Sequence, residues 1–120
     1  MRSYSDELEA IAKRVEEAKV YLKLGRTKER MAELEPIMAS PNLWDDVDNA
    51  RRVTTEFNRL KSDIDEFEAL DMAIADLGAL EEMLAEGEDE SLSSEYAVLF
   101  SKLSRHIDDV ELRSLFSGSA

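Results

Sequence analysis

The sequence contains no cysteine, and its 120 residues include only four glycines and two prolines. Without cysteine the chain has neither a disulfide framework nor a thiolate metal site. It also has no run of 18 apolar residues that could span a membrane. Asp6, Glu7 and Glu9 occupy the place where a signal peptide needs its apolar core. These absences predict an untargeted, cytoplasmic protein without a membrane partner.

Basic residues are missing from a third of the chain, because residues 62–101 contain thirteen Asp or Glu and no Lys or Arg. A formal charge of −13 makes the molecule a poor generic binder of nucleic acid, since such domains usually carry a basic excess, and we expect no specific DNA binding. Any surface that meets RNA must therefore come from the first half. The candidates for a ribosome contact are Arg26, Lys28, Arg30, Arg51, Arg52, Arg59 and Lys61. The simpler interpretation is that they pair, at helical spacing, with Glu29, Glu33, Glu56 and Asp63.

Catalytic and ligand-binding motifs are absent as well. His106 is the single histidine, so no second imidazole can join it in a ligand cluster. The acidic run at Asp45–Asn49 does not place glycine and a twelfth-position carboxylate as a calcium loop requires. Phosphate-binding glycine loops and nucleophile elbows are missing too. We therefore expect no enzyme activity, no cofactor and no metal.

The sequence does contain one long apolar stripe, which leaves a corner at Ser40–Asp46 and runs to about Ala85. Pro41 ends the preceding helix, and either Asp45 or Asp46 can cap the next. Steps of three and four residues predict a single helix of roughly 38 residues, about 57 Å long. The stripe consists of Ala50, Val53, Phe57, Leu60, Ile64, Phe67, Leu70, Ile74, Leu77, Leu80 and Leu84.

Three shorter apolar patterns predict helices around this one. The first, capped by Ser3 or Ser5, has a coiled-coil-like seam from Tyr4 to Leu22. Its phase fails near Gly25–Thr27, which predicts a break and a second helix over about Thr27–Ala39 that contains Pro36. The fourth begins at Ser91, Ser93 or Ser94, runs to about Leu115 and stops at Ser117-Gly118. The predicted fold is all-α: an elongated helical bundle with two long antiparallel helices and a shorter, bent N-terminal helix pair.

Trp44 is the only tryptophan, and it lies in the corner that Pro41 enforces. It is either a plug that locks the corner against the bundle or an exposed anchor for a partner. A lone aromatic residue in a short loop is more often buried, so the sequence favours the plug.

Three stretches of this sequence succeed one another in a specific order. They are Lys28-Glu29-Arg30 leading into Leu34-Glu35, the corner Ser40-Pro41-Asn42-Leu43-Trp44-Asp45-Asp46, and the closing stretch Glu111–Gly118. The succession resembles the N-terminal helical domain of the bacterial class I peptide chain release factors, in their type 2 branch. The resemblance covers about Tyr21 to Gly118, and Trp44 and the Phe-Ser-Gly ending are its specific parts. On this basis residues 1–118 are expected to form one helical domain, with 119–120 beginning an interdomain segment of a truncated chain.

The resemblance implies a translation termination factor whose full-length form reads UGA and UAA stop codons and promotes peptidyl-tRNA hydrolysis. Neither the Gly-Gly-Gln loop nor the codon-reading Ser-Pro-Phe tripeptide of that family occurs in these 120 residues. The implied role is therefore ribosome docking, with the stalk base of the large subunit and the class II release factor GTPase as partners. The alternative from periodicity is a free-standing acidic adaptor that dimerises through the first helix.

Overall fold

The computed structural model describes residues 4–116, which form helices joined by short turns. The α-helices are α1 (Tyr4–Tyr21), α2 (Leu24–Met38), α3 (Val47–Glu86) and α4 (Glu90–Phe116), with a 3-10 turn at Leu43–Asp45. Across residues 4–116 there is no strand, so the prediction of an all-α fold is confirmed. The predicted cap at Ser3 and the predicted stop at Ser117-Gly118 lie outside the described residues.

The chain divides into two compact units. The acidic unit comprises residues 1–18 and 68–120 and contains most of α1, the second half of α3 and all of α4. The corner unit comprises residues 19–67 and contains α2, the 3-10 turn and the first half of α3. The corner unit holds nine basic and ten acidic residues, a net charge of −1, whereas the acidic unit holds six and eighteen, a net charge of −12. The charge is therefore far less negative where the candidate basic residues lie.

In the acidic unit, α1 buries the seam that its sequence predicts. The buried residues of this seam are Leu8, Ile11, Val15 and Ala18. Beside them, Arg14 ties α1 to α4: its Nη2 donates to Asp108 Oδ1 at 2.7 Å and its Nε donates to Glu111 Oε2 at 3.1 Å. These two carboxylates raise the pKa of Arg14, and their hydrogen bonds to the guanidinium group are the main cause. Because the four seam residues are already buried within the single chain, they are not exposed for the alternative of a dimer through helix 1.

The stripe of α3 is confirmed, since all of its eleven apolar residues are buried or half-buried. With 40 residues, α3 is about 60 Å long. Only Gly87–Asp89 separates it from α4, which returns antiparallel to it within the acidic unit. There Ala73 and Asp76 of α3 line one depression together with Leu99 and Leu103 of α4. Tyr96, Leu103, Ile107 and Val110 are the residues that α4 buries.

The break between α1 and α2 falls earlier than the sequence predicts. It lies at Lys23, whose φ of 59° and ψ of 48° are left-handed, and Gly25 and Thr27 are inside α2. Glycine is the usual residue for such a conformation, and here lysine adopts it instead. Further along α2, the helix continues past Pro36 to Met38, because a proline so near the end removes little of the backbone ladder.

Aspartates cap both later helices. Asp46 Oδ1 accepts the Asn49 N–H at 3.1 Å, which identifies Asp46 rather than Asp45 as the cap of α3. Asp89 Oδ1 accepts the N–H groups of Ser91 and Leu92 at 2.9 and 3.2 Å. The predicted serine cap of α4 is therefore wrong, because an aspartate just before the serines satisfies the free N–H groups first.

Candidate functional site

The seven basic residues predicted from the sequence all lie in the corner unit, and all are exposed. Arg26, Lys28 and Arg30 are on α2, and the other four are on the first half of α3. None of them is needed to fill the core, so the surface of this unit presents them to solvent. They differ in whether they already form an ion pair with an acidic side chain.

Arg30 forms ion pairs with carboxylates from both helices. Its Nε and Nη2 donate to the two oxygens of Glu56 at 2.8 and 3.0 Å, and its Nη1 donates to Glu33 at 3.1 Å. The hydrogen bond from Arg30 lowers the pKa of Glu56, and the charge of Arg59 lowers it further. Lys61 Nζ likewise lies 2.9 Å from Asp65 Oδ2. Of these ion pairs, only the Arg30–Glu33 pair has the predicted partner at helical spacing, since the Arg30–Glu56 pair joins two helices and Lys61 pairs with Asp65.

Arg51, Arg52 and Arg59 form what we call the arginine face of α3. With Thr55 and Glu56 they line an open depression of about 490 Å³. Positions 51, 55 and 59 are four residues apart, so they lie above one another along the helix. Arg52 Nη2 donates to the neutral Asn49 Oδ1 at 2.9 Å, and within residues 4–116 Arg51 and Arg59 have no ion pair. The arginine face therefore has guanidinium groups available for an anion.

This face suits phosphate groups. Three arginines line the same depression as one carboxylate, Glu56, which already accepts two hydrogen bonds from Arg30. Guanidinium groups bind phosphate oxygens with paired N–H donors, and Thr55 adds a hydroxyl group to the same depression. The depression is open to solvent. It therefore suits the backbone of a nucleic acid better than a small molecule, which usually binds in an enclosed pocket.

The corner itself, from Ile37 to Val47, turns the chain from α2 into α3. After Pro41, Leu43 N–H donates to Ser40 O at 3.2 Å and Asp45 N–H donates to Asn42 O at 3.1 Å. Leu43 is 9% exposed, whereas Trp44 is 58% exposed. The predicted tryptophan plug is therefore wrong, and Leu43 fills that place. Successive residues of a 3-10 turn point about 120° apart, so a turn that directs Leu43 into the core directs Trp44 away from it.

Sequence reasoning also missed the exposed apolar neighbours of Trp44. Ile37 at the end of α2 is 41% exposed and Val47 at the start of α3 is 47% exposed. Both are large apolar residues next to proline or aspartate, which is a signal for a turn but not for the direction of a side chain. Asp45 and Asp46 are exposed in the same stretch, and Asp48 is exposed directly after it. The corner thus combines apolar side chains with carboxylates.

The remaining candidates do not form a chemical site. His106 lines a depression of about 200 Å³ in the acidic unit with Asp76, Lys102 and apolar residues. Among residues 4–116 no three His, Cys, Asp or Glu side chains are grouped to hold a metal ion. Nor does any helix of this described part have the length and apolar character needed to cross a membrane.

Comparison with known proteins shows which family this chain resembles. Residues 27–119 match the PCRF domain. The chain is 32% identical over 114 residues to peptide chain release factor 2 of Streptomyces avermitilis and 34% identical over 113 residues to that of Exiguobacterium. These alignments cover 95% and 94% of this chain but 31% of each relative. A Clostridium perfringens peptide chain release factor 2 is 36% identical over 97 residues, covering 81% of this chain and 26% of the relative. The chain thus spans between about a quarter and a third of the length of these relatives.

Proposed function

Because the chain belongs to the PCRF domain family, whose members here include proteins named peptide chain release factor 2, we propose that it is the ribosome-docking part of a translation termination factor. The factor as a whole would read UGA and UAA codons and promote peptidyl-tRNA hydrolysis. The part described here would supply binding and positioning without chemistry of its own.

The observation that supports docking is the arginine face. A ribosome presents a dense surface of RNA phosphates. A protein with a net charge of −13 needs a locally positive surface to approach them. Arg51, Arg52 and Arg59 provide that surface on one exposed depression. Arg26 and Lys28 on α2 belong to the same unit and add positive charge at its surface.

The finer parts of the proposal follow the family resemblance. The docking partner would be the stalk base of the large ribosomal subunit, and the class II release factor GTPase would act with it in the cytoplasm, where translation takes place. We further propose that residues 1–118 make up the domain and that 119–120 begin the segment leading to the rest of the factor.

The division between binding and chemistry has a physical basis. Hydrolysis of the peptidyl-tRNA ester needs groups that position a water molecule within reach of the ester carbon. These 120 residues contain no Gly-Gly-Gln loop, and the arginine face and the corner carry arginine and aspartate at exposed positions. Such surfaces hold a partner but do not enclose a reacting water molecule.

Deleting the region equivalent to residues 1–120 from a release factor that carries it tests the proposal. We expect ribosome association to weaken while stop-codon-dependent hydrolysis at saturating factor is retained. Each 1.4 kcal/mol of lost docking energy lowers affinity about tenfold, so the defect should be largest at low factor concentration and relieved by excess. The separate chain, added to a stalled termination complex, should release no peptide. A deleted factor that binds normally but no longer promotes hydrolysis at saturation would contradict the proposal.

A further inference from the structure

The corner at Ile37–Val47 exposes apolar side chains that the fold does not use. Within the corner unit, the exposed large apolar residues are Val20, Tyr21, Ile37, Trp44 and Val47, and the last three lie in this stretch of eleven residues. Leu43 already anchors the corner in the core. The exposed part of the Trp44 ring therefore contributes nothing to the corner by burial, and any surface that removes it from water must come from outside residues 4–116.

Tryptophan is the residue most typical of binding hot spots, because a large rigid ring can desolvate much area at a small entropic cost. Only two rotatable bonds must be fixed when the ring enters a pocket. The backbone beneath it is already held by the Leu43 and Asp45 N–H hydrogen bonds and by the Asp46 cap of α3. The ring is thus presented from a structured turn.

The charges around Trp44 select the kind of partner. Asp45, Asp46 and Asp48 follow it directly and are exposed, and no Lys or Arg occurs between Arg30 and Arg51. Asp46 uses one oxygen to cap α3, which leaves its charge in place. These three neighbouring carboxylates repel phosphates, including the phosphates that accompany a base stacked on an aromatic ring. A second copy of the corner would bring the same negative charges together and is disfavoured for the same reason.

On this basis we propose that the corner is a protein-docking anchor: Trp44 inserts into an apolar pocket of a partner protein whose rim carries Lys or Arg. The inference rests on the proposed function, since the partner would then be a basic protein of the ribosome. It assigns two neighbouring stretches to two kinds of target. The arginine face contacts RNA phosphates, whereas the Trp44 corner contacts protein.

The test measures equilibrium binding of the labelled chain to purified bacterial 70S ribosomes. Trp44→Ala should lower affinity by at least about tenfold, as expected for a hot-spot tryptophan, without changing the slope of affinity against salt. Met72→Ala is the matched control, because Met72 is 66% exposed but belongs to the acidic unit. It should leave affinity unchanged. Circular dichroism and thermal melting of both variants check that each remains folded.

A second variant keeps the tryptophan and changes only its surroundings. Asp45→Lys/Asp48→Lys spares the Asp46 cap and should weaken binding, because the partner rim is basic. If the corner instead faced RNA, the same variant would bind more tightly. Glu88→Lys/Glu95→Lys in the acidic unit is the charge-matched control, with an expected effect much smaller than that of the corner variant. Fluorescence of the parent chain, which has one Trp, should also be unchanged by protein-free ribosomal RNA; quenching there would indicate base stacking.

The outcomes separate this inference from the proposed function. If the parent chain binds ribosomes and Trp44→Ala binds equally well, the inference fails and ribosome docking stands. Tighter binding of Asp45→Lys/Asp48→Lys also overturns the inference, in favour of an RNA contact at the corner. If the parent chain does not bind ribosomes at all, the proposed function fails and this inference fails with it.

Discussion

Removing charge from the arginine face should change how ribosome binding depends on salt. The double variant Arg51→Gln/Arg59→Gln deletes two guanidinium groups that have no ion pair within residues 4–116. Neither side chain is buried, and glutamine retains their helical preference, so the fold should be unaffected. Any change in binding then reports lost contacts at the depression that both residues line.

The magnitude follows from counterion release. Each phosphate contact contributes about 0.7 to 0.9 to the slope of log affinity against log salt, so two lost contacts reduce that slope by about 1.4 to 1.8. Between about 50 and 200 mM salt, the parent chain should therefore lose about seven- to twelvefold more affinity than the variant loses. The difference between the two proteins should be large at low salt and small at high salt.

The assay is a titration of labelled chain with purified ribosomes at four or more salt concentrations. Lys102→Gln/Arg105→Gln is the control, because it removes the same charge from exposed residues of α4 in the acidic unit. Its slope should match that of the parent. Equal slopes for parent and Arg51→Gln/Arg59→Gln, or the same loss in both double variants, would refute the assignment of phosphate contacts to the arginine face.

Two predictions concern stability. Leu43→Ala should destabilise the fold by about 2 to 5 kcal/mol, because Leu43 is the buried residue of the corner, and thermal melting would contradict this if the midpoint hardly moved. Glu56→Gln should lower the free energy of unfolding at pH 7 but make little difference at an acidic pH below the lowered folded-state pKa of Glu56, where the parent carboxylate is also protonated. The sign follows because the Arg30 hydrogen bond depresses the folded-state pKa of Glu56, so its contribution is present above the unfolded value of about 4.3 and is lost as pH falls through the folded value. Urea unfolding at the two pH values measures it, and an equal effect at both would argue against the ion pair.

The helices could be predicted from the sequence because their signal is repeated many times. The stripe of α3 contains eleven apolar residues at consistent spacing, and no single misplaced residue could hide it. Helix ends depend on one or two residues and were less predictable. Lys23 adopts the left-handed conformation that sequence rules assign to glycine, and Asp89 precedes the serines that looked like caps of α4.

The candidate site was predictable in its charges but not in its geometry. Exposure of the seven basic residues follows from their long charged side chains on amphipathic helices. Which of them form ion pairs depends on the packing of α2 against α3, which brings Arg30 to Glu56 across 26 positions of sequence. At the corner, both Leu43 and Trp44 are apolar, and size alone favoured the larger residue as the buried one. Which of the two is buried depends on how the 3-10 turn is oriented about its axis, and the hydrogen bonds to the Ser40 and Asn42 carbonyl groups fix that orientation.

Charge distribution explains why docking should involve the corner unit. The acidic unit has eighteen acidic and six basic residues, and Arg14 is already bound to Asp108 and Glu111. At about 0.15 M salt, screening reduces repulsion only beyond about 8 Å, so direct contact between these acids and phosphate would still be unfavourable. The corner unit carries a net charge of only −1, with the arginine face on one stretch of α3 and three exposed carboxylates beside Trp44. A target that presents RNA and basic protein side by side could bind both the arginine face and the Trp44 corner, whereas protein-free RNA could bind only the arginine face.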